Sequence, residues 1–138
     1  REKYKQLKIM DITQWLKEVV LPRIKVIRPK NRILLHPTCS CQIMGLTPVL
    51  LDIARKCARE VILPDNWGCC GASGDRGFIF PELSDSATRD ERDEIGHESF
   101  DGCYSLARTC EIAMQDHIEQ PYESIVYLVD ETIQDQGT

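Results

Sequence analysis

The chain has 138 residues, 42% hydrophobic and 28% charged, a balance that supports one packed core and excludes a disordered or collagen-like chain. Seventeen Lys and Arg against 22 Asp and Glu leave a formal charge of −5 with no basic block, so no nucleic-acid partner is expected. No apolar run approaches the roughly 20 residues that span a bilayer, and Arg1-Glu2-Lys3-Tyr4 is neither a signal peptide nor an initiating Met, so the expectation is a cytoplasmic fragment of a longer protein, with no transmembrane segment.

In chain order, Asp11 with Gln14 three residues on predicts a capped helix, with Ile12, Trp15, Leu16, Val19 and Val20 on one face and an end before Pro22. Residues 1–30 therefore read as a helical lead-in within a single domain of 1–138. Ile33, Leu34 and Leu35 form a short apolar run closed by His36-Pro37, as expected of a buried strand. Thr47-Pro48 reads as an N-cap with proline at the first helical position, and Leu50, Ile53, Ala54 and Cys57 make the inward face. Val61 to Leu63 then reads as a second buried strand, ended by Pro64-Asp65. Pro81 opens a helix running through Ala87 to Ile95 with a charged outer face, Phe100 to Ser105 suits a short strand, and Thr109 caps a helix through His117. After Pro121-Tyr122, the positions Ile125, Val126, Val129 and Ile133 favour a final helix over a strand. Strand, helix and strand in succession make a βαβ unit. The fold class is therefore α/β: a small parallel sheet built from βαβ units and flanked by helices, with cysteine loops at one edge.

Seven cysteines in 138 residues are many for a chain with no secretory signature, and their odd number argues for metal binding or redox chemistry over a disulfide framework. Cys57, on an apolar helical face, reads as packing. The adjacent pair Cys69-Cys70 is different. Neighbouring side chains diverge, so two successive thiolates suit a ligand with several metal atoms, and an iron–sulfur cluster fits. Gly71, Gly74 and Gly77 follow, and glycine lets a loop turn its N–H groups toward sulfide or thiolate. The same loop lacks the Lys-Ser or Lys-Thr of a phosphate loop. Arg76 can balance cluster charge, bind a carboxylate or make a surface ion pair. Cys110, in the first turn of its helix, sits where the dipole favours a thiolate. Cys103 and Cys41 are further candidates for ligation. His36 reads as hydrogen-bonded structure rather than a ligand or proton carrier, and His97 and His117 as surface residues.

At Cys69-Cys70-Gly71 the sequence resembles the cysteine-rich CCG domain of heterodisulfide reductase and of the glycolate oxidase iron–sulfur subunit. His36-Pro37-Thr38-Cys39-Ser40, the loop from Gly68 to Phe78, Pro81-Glu82-Leu83, Arg108-Thr109-Cys110-Glu111-Ile112 and the stretch from Pro121 to Leu128 together resemble the C-terminal end of bacterial FAD-linked D-lactate dehydrogenases. The resemblance covers about three quarters of the chain. It implies an electron-transfer domain with a 4Fe-4S type cluster on Cys39, Cys69, Cys70 and Cys110. It also implies upstream flavin and ferredoxin-like domains, FAD only in that upstream part, and a whole protein that is cytoplasmic or peripheral to the inner membrane. The fragment alone, lacking a flavin site, is not expected to turn over. The broader CCG pattern ends in Cys-x-x-Cys, whereas Ala107 stands at the first of these positions if Cys110 is the second. Cys103 or Cys41 is then the replacement thiolate, or the site holds one zinc on four thiolates. A zinc domain that stabilises the fold or docks subunits is the alternative function. Thiol or disulfide chemistry at the cluster, as in heterodisulfide reductase, is a third.

Overall fold

A computed structural model describes residues 5–133. The parallel sheet has four strands in the order β2-β1-β3-β4, formed by β1 (Lys30–Leu35), β2 (Ala58–Ile62), β3 (Gly102–Ser105) and β4 (Tyr122–Ser124). All three pairings are parallel. The α/β class, the parallel sheet and the flanking helices are those the sequence predicts.

The first helix differs from its expectation. Asp11 caps it, accepting the Thr13 N–H at 2.8 Å, but α1 (Ile12–Trp15) opens into a wider five-residue turn over Leu16–Val20 and a tight turn over Leu21–Arg23 that contains Pro22. Thr13, Leu16 and Leu21 are its buried residues, while Ile12 and Trp15 stay exposed.

The chain then enters β1, turns through the short α2 (Cys39–Ile43) and returns along α3 (Thr47–Cys57) to β2. Leu46 rather than Thr47 is the cap of α3, and Leu50, Ile53, Ala54 and Cys57 are its buried face as expected. β2 follows α3 without a loop, so it starts at Ala58, earlier than the expected Val61. It is also an edge strand, which is why Val61 and Ile62 are only half-buried. The connection to β3 runs through α4 (Arg76–Ile79) and α5 (Pro81–Ile95) and passes over β1. α6 (Arg108–Ile118) links β3 to β4, and α7 (Ile125–Thr132) closes the described chain. The helix expected over 125–133 is therefore present. The strand before it, β4, is an addition, since three residues are too few to read by alternation.

Alternation along the strands divides the core in two. Ile33, Leu35 and Tyr104 point into one cluster with Leu16, Leu50, Ile53, Cys57, Ile125 and Leu128. Leu34, Cys103 and Tyr122 point into the other with Cys70, Ile95, Cys110, Ala113 and Met114. α3 packs with α1 and α7, and α5 with α4 and α6, so each cluster has its own helical cover. No helix among the described residues is long and apolar enough to cross a membrane.

Candidate metal centre

In a sheet ordered β2-β1-β3-β4 the chain direction of travel reverses between β1 and β3. Beyond the carboxyl ends of those strands, the two outgoing connections diverge and leave a crevice. β1 ends in His36-Pro37-Thr38, and Thr38 caps α2 by accepting the Cys41 N–H at 3.2 Å, which makes Cys39 the first helical residue. β3 leads through Ala107, the residue before α6, to Cys110 in that helix's first turn. Cys69 and Cys70 arrive on the loop after β2. Cys39, Cys69, Cys70 and Cys110 thus line one cavity of about 240 Å³, with Ala107 and Gly74 also in its wall.

Within that cavity the sulfurs fall into two pairs. Cys70 and Cys110 are buried, their sulfurs 3.0 Å apart. Cys39 and Cys69 are exposed at the mouth, and their thiols interact. Among the described residues, no three His, Cys, Asp or Glu side chains are gathered closely enough to hold a single metal ion. The four cysteines line one cavity, with the inner two sulfurs in contact.

The inner pair shares a proton. The Cys70 and Cys110 thiols are hydrogen-bonded to each other at 3.0 Å, and that bond, helped against burial by the N–H groups of Ala72 and Cys70 itself and by His36, holds the Cys70 thiol below its ordinary value. The same bond, burial and the neighbouring sulfurs raise Cys110. Cys110 stands in the first turn of α6, where the dipole favours a thiolate, and contact with Cys70 works against that effect. At the mouth, the Gly71 N–H, 3.4 Å from Cys69 Sγ, favours the thiolate, but burial and the Cys70 and Cys39 thiols outweigh it and raise Cys69.

The glycine loop is fixed by packing. Gly71 has φ +74°, and a Cβ there would lie 2.7 Å from both Leu83 O and Ser84 Cα of α5. A Cβ on Gly77 would lie 2.8 Å from Ala72 Cα and 2.9 Å from Gly71 O. Only glycine lets α5 press on the loop that carries Cys69 and Cys70. Arg76 opens α4, is exposed and does not line the cavity.

Cys41 lies in the other core, with Cys57, its sulfur 4.0 Å from Thr47 Oγ1. Burial raises both thiols. Cys103 shares the core of Cys70 and Cys110 but is absent from the cavity wall, and burial pushes its thiol up to about 12. His36 is buried and hydrogen-bonded, as the sequence suggests: its Nδ1 lies 3.0 Å from Glu91 Oε2 and its ring meets Tyr122 edge-on. His97 is exposed and His117 half-buried.

No family model matches the chain, and none of the curated proteins compared matches it. The residues around the cavity therefore carry the functional reading. Glu91, Ser84 and Thr88 escape the sequence reading, although each is buried on α5. Their spacing with Ile95, at 84, 88, 91 and 95, is itself helical and was the available signal; a count of apolar positions alone passes over it.

Proposed function

We propose that this chain is an electron-transfer domain in which Cys39, Cys69, Cys70 and Cys110 hold an iron–sulfur cluster. The observation that carries the reading is the lining of one cavity of about 240 Å³ by these four cysteines, brought there by three separate segments of the chain. Thiolates are the usual ligands of such clusters. Neighbouring side chains such as those of Cys69 and Cys70 diverge, which suits a ligand of several metal atoms better than one tetrahedral zinc. Two thiols, Cys70 and Cys110, come from opposite sides of the switch point, so the cluster would tie the loop after β2 to α6.

When bound, the cluster would supply one-electron transfer. The chain's own part is to hold and tune it. The N–H of Gly71 points at Cys69 and those of Ala72 and Cys70 at the Cys70 sulfur, lowering the cost of negative charge. His36, fixed by Glu91, adds to the same effect at Cys70. The exposed Cys39 and Cys69 put one side of the site at the surface, where an electron partner has access.

The resemblance to FAD-linked D-lactate dehydrogenases names that partner: a flavin domain, with a ferredoxin-like module, upstream in the same chain. D-Lactate or another D-2-hydroxy acid would be oxidised at that flavin, in the cytoplasm or at the inner membrane surface. The isolated fragment would show no turnover, because the hydride acceptor lies elsewhere.

Anaerobic reconstitution of the purified chain with ferrous iron and sulfide tests the reading. The expected outcome is stoichiometric iron and sulfide with a visible charge-transfer absorption. Exclusive retention of zinc, or no metal at all, would overturn it.

A further inference from the structure

Cys70, on the loop after β2, and Cys110, in the first turn of α6, are 40 positions apart in sequence, yet their sulfurs stand 3.0 Å from each other. A covalent S–S bond is about 2.05 Å long, so closure by about 1 Å would join them. Both are free thiols, and both line the cavity whose mouth carries the exposed Cys39 and Cys69. A small reagent that enters the cavity therefore meets an inner pair already in contact. Gly71 packs closely against α5, and Cys110 belongs to the first turn of an eleven-residue helix, so packed elements set the two sulfurs side by side.

We propose that Cys70 and Cys110 form a reversible dithiol–disulfide couple, and that the disulfide closes the site to metal. The oxidant is a small-molecule disulfide, RS–SR. The Cys70 sulfur attacks one sulfur of RS–SR, giving a Cys70–S–SR mixed disulfide and one RS⁻. The Cys110 sulfur then attacks Cys70 Sγ, forming the internal S–S bond and releasing the second RS⁻. The two thiol protons pass to the two RS⁻ leaving groups. Two protein thiols are oxidised to one disulfide, and RS–SR is reduced to two RSH. The closed state removes two of the four thiolates lining the cavity, so metal loading requires prior reduction. The second half of the proposal rests on the reading of this cavity as a metal centre; the first half does not.

The test uses the full chain, reduced, metal-free and anaerobic. It is treated with oxidised glutathione, its free thiols are alkylated, and it is analysed by intact mass and peptide mapping. The expected result is the loss of two hydrogens, two fewer alkylated thiols and a linked Cys70–Cys110 peptide. The oxidised chain should then take up ferrous iron and sulfide at least about tenfold less than the reduced chain, because a disulfide offers no thiolate ligand. A phosphine reductant should restore uptake. Cys70→Ala and Cys110→Ala should each abolish the linkage, and Cys57→Ala should keep it. Should either alanine variant fail to fold, the wild-type peptide map decides alone. A Cys39–Cys69 linkage, a mixed disulfide that never closes, or no oxidation would overturn the couple. Equal iron uptake before and after closure would overturn the gate. Closure in a chain whose reduced form takes no iron would uphold the couple while sinking the metal reading.

Discussion

Along β1, Ile33 and Leu35 enter one core while Leu34 enters the other, and His36, in step with Leu34, meets Tyr122 and Glu91 on that second side. The first core, under α1, α3 and α7, is lined by Leu, Ile and Val, and its cysteines Cys41 and Cys57 are packed among them. The second, under α4, α5 and α6, contains Cys70, Cys103 and Cys110 and borders the buried polar residues His36, Ser84, Thr88 and Glu91. His36 Nε2, Ser84 Oγ and Tyr122 Oη are buried there with no hydrogen-bond partner among the described residues. Unsatisfied buried groups cost stability, so these polar groups of the second side weigh against folding. The first side stabilises the fold, and the second borders the candidate site.

The strongest way to test that contrast is to empty the first core. Leu50 is fully buried against Ile53 and Leu128 in the first cluster. Leu50→Ala should cost about 2–5 kcal/mol, through lost transfer energy and the cavity left behind. Urea denaturation would measure it, and iron content at low denaturant should not change.

A smaller loss is expected on the second side from Glu91→Ala, which leaves the buried His36 Nδ1 without its acceptor. The cost of one such unmade bond is about 1–3 kcal/mol. Glu91→Gln should recover most of it, since the amide oxygen still accepts; equal losses in the two variants, again by denaturation, would show that the pair contributes packing only.

How far this division could be read in advance depends on the signal. The inward face of α3 was legible because four apolar residues share one helical stripe, and β1 because three apolar residues stand together between polar flanks. The convergence of the loops after β1 and β2 follows from the βαβ unit. The polar side of α5 was not legible by apolar periodicity. Ser84, Thr88 and Glu91 are buried there by tertiary contacts, with His36 as Glu91's partner 55 residues away. The edge position of β2 was hidden for the same reason, since strand order depends on where the later β3 inserts. Nor could the sequence assign the shared proton of Cys70 and Cys110, which depends on a contact between residues 40 apart.

The smallest effect concerns acid stability at the rim of the second side. The N–H groups of Asn66 and Asp65 donate to the Glu94 carboxylate at 2.8 and 2.7 Å and hold its pKa below the ordinary 4.5. A carboxylate lowered on folding adds stability above its unfolded pKa and loses it as pH falls through the folded value. Stability should therefore decline below about pH 4.5, and the decline should be shallower in Glu94→Gln. The difference is small because Glu94 is exposed. Thermal melts of both chains across that range would measure it.

The proposal is that Cys39, Cys69, Cys70 and Cys110 hold a cluster while Cys41 and Cys57 only pack in the first core. Iron and sulfide per chain, measured after anaerobic reconstitution of wild type, Cys110→Ser and Cys57→Ala, test it most directly. The account predicts a loaded wild type, a Cys110→Ser chain with little or no cluster, and a Cys57→Ala chain that keeps its full content while losing about 1 kcal/mol of stability. Equal iron in Cys110→Ser and wild type, or loss of iron in Cys57→Ala, would contradict it.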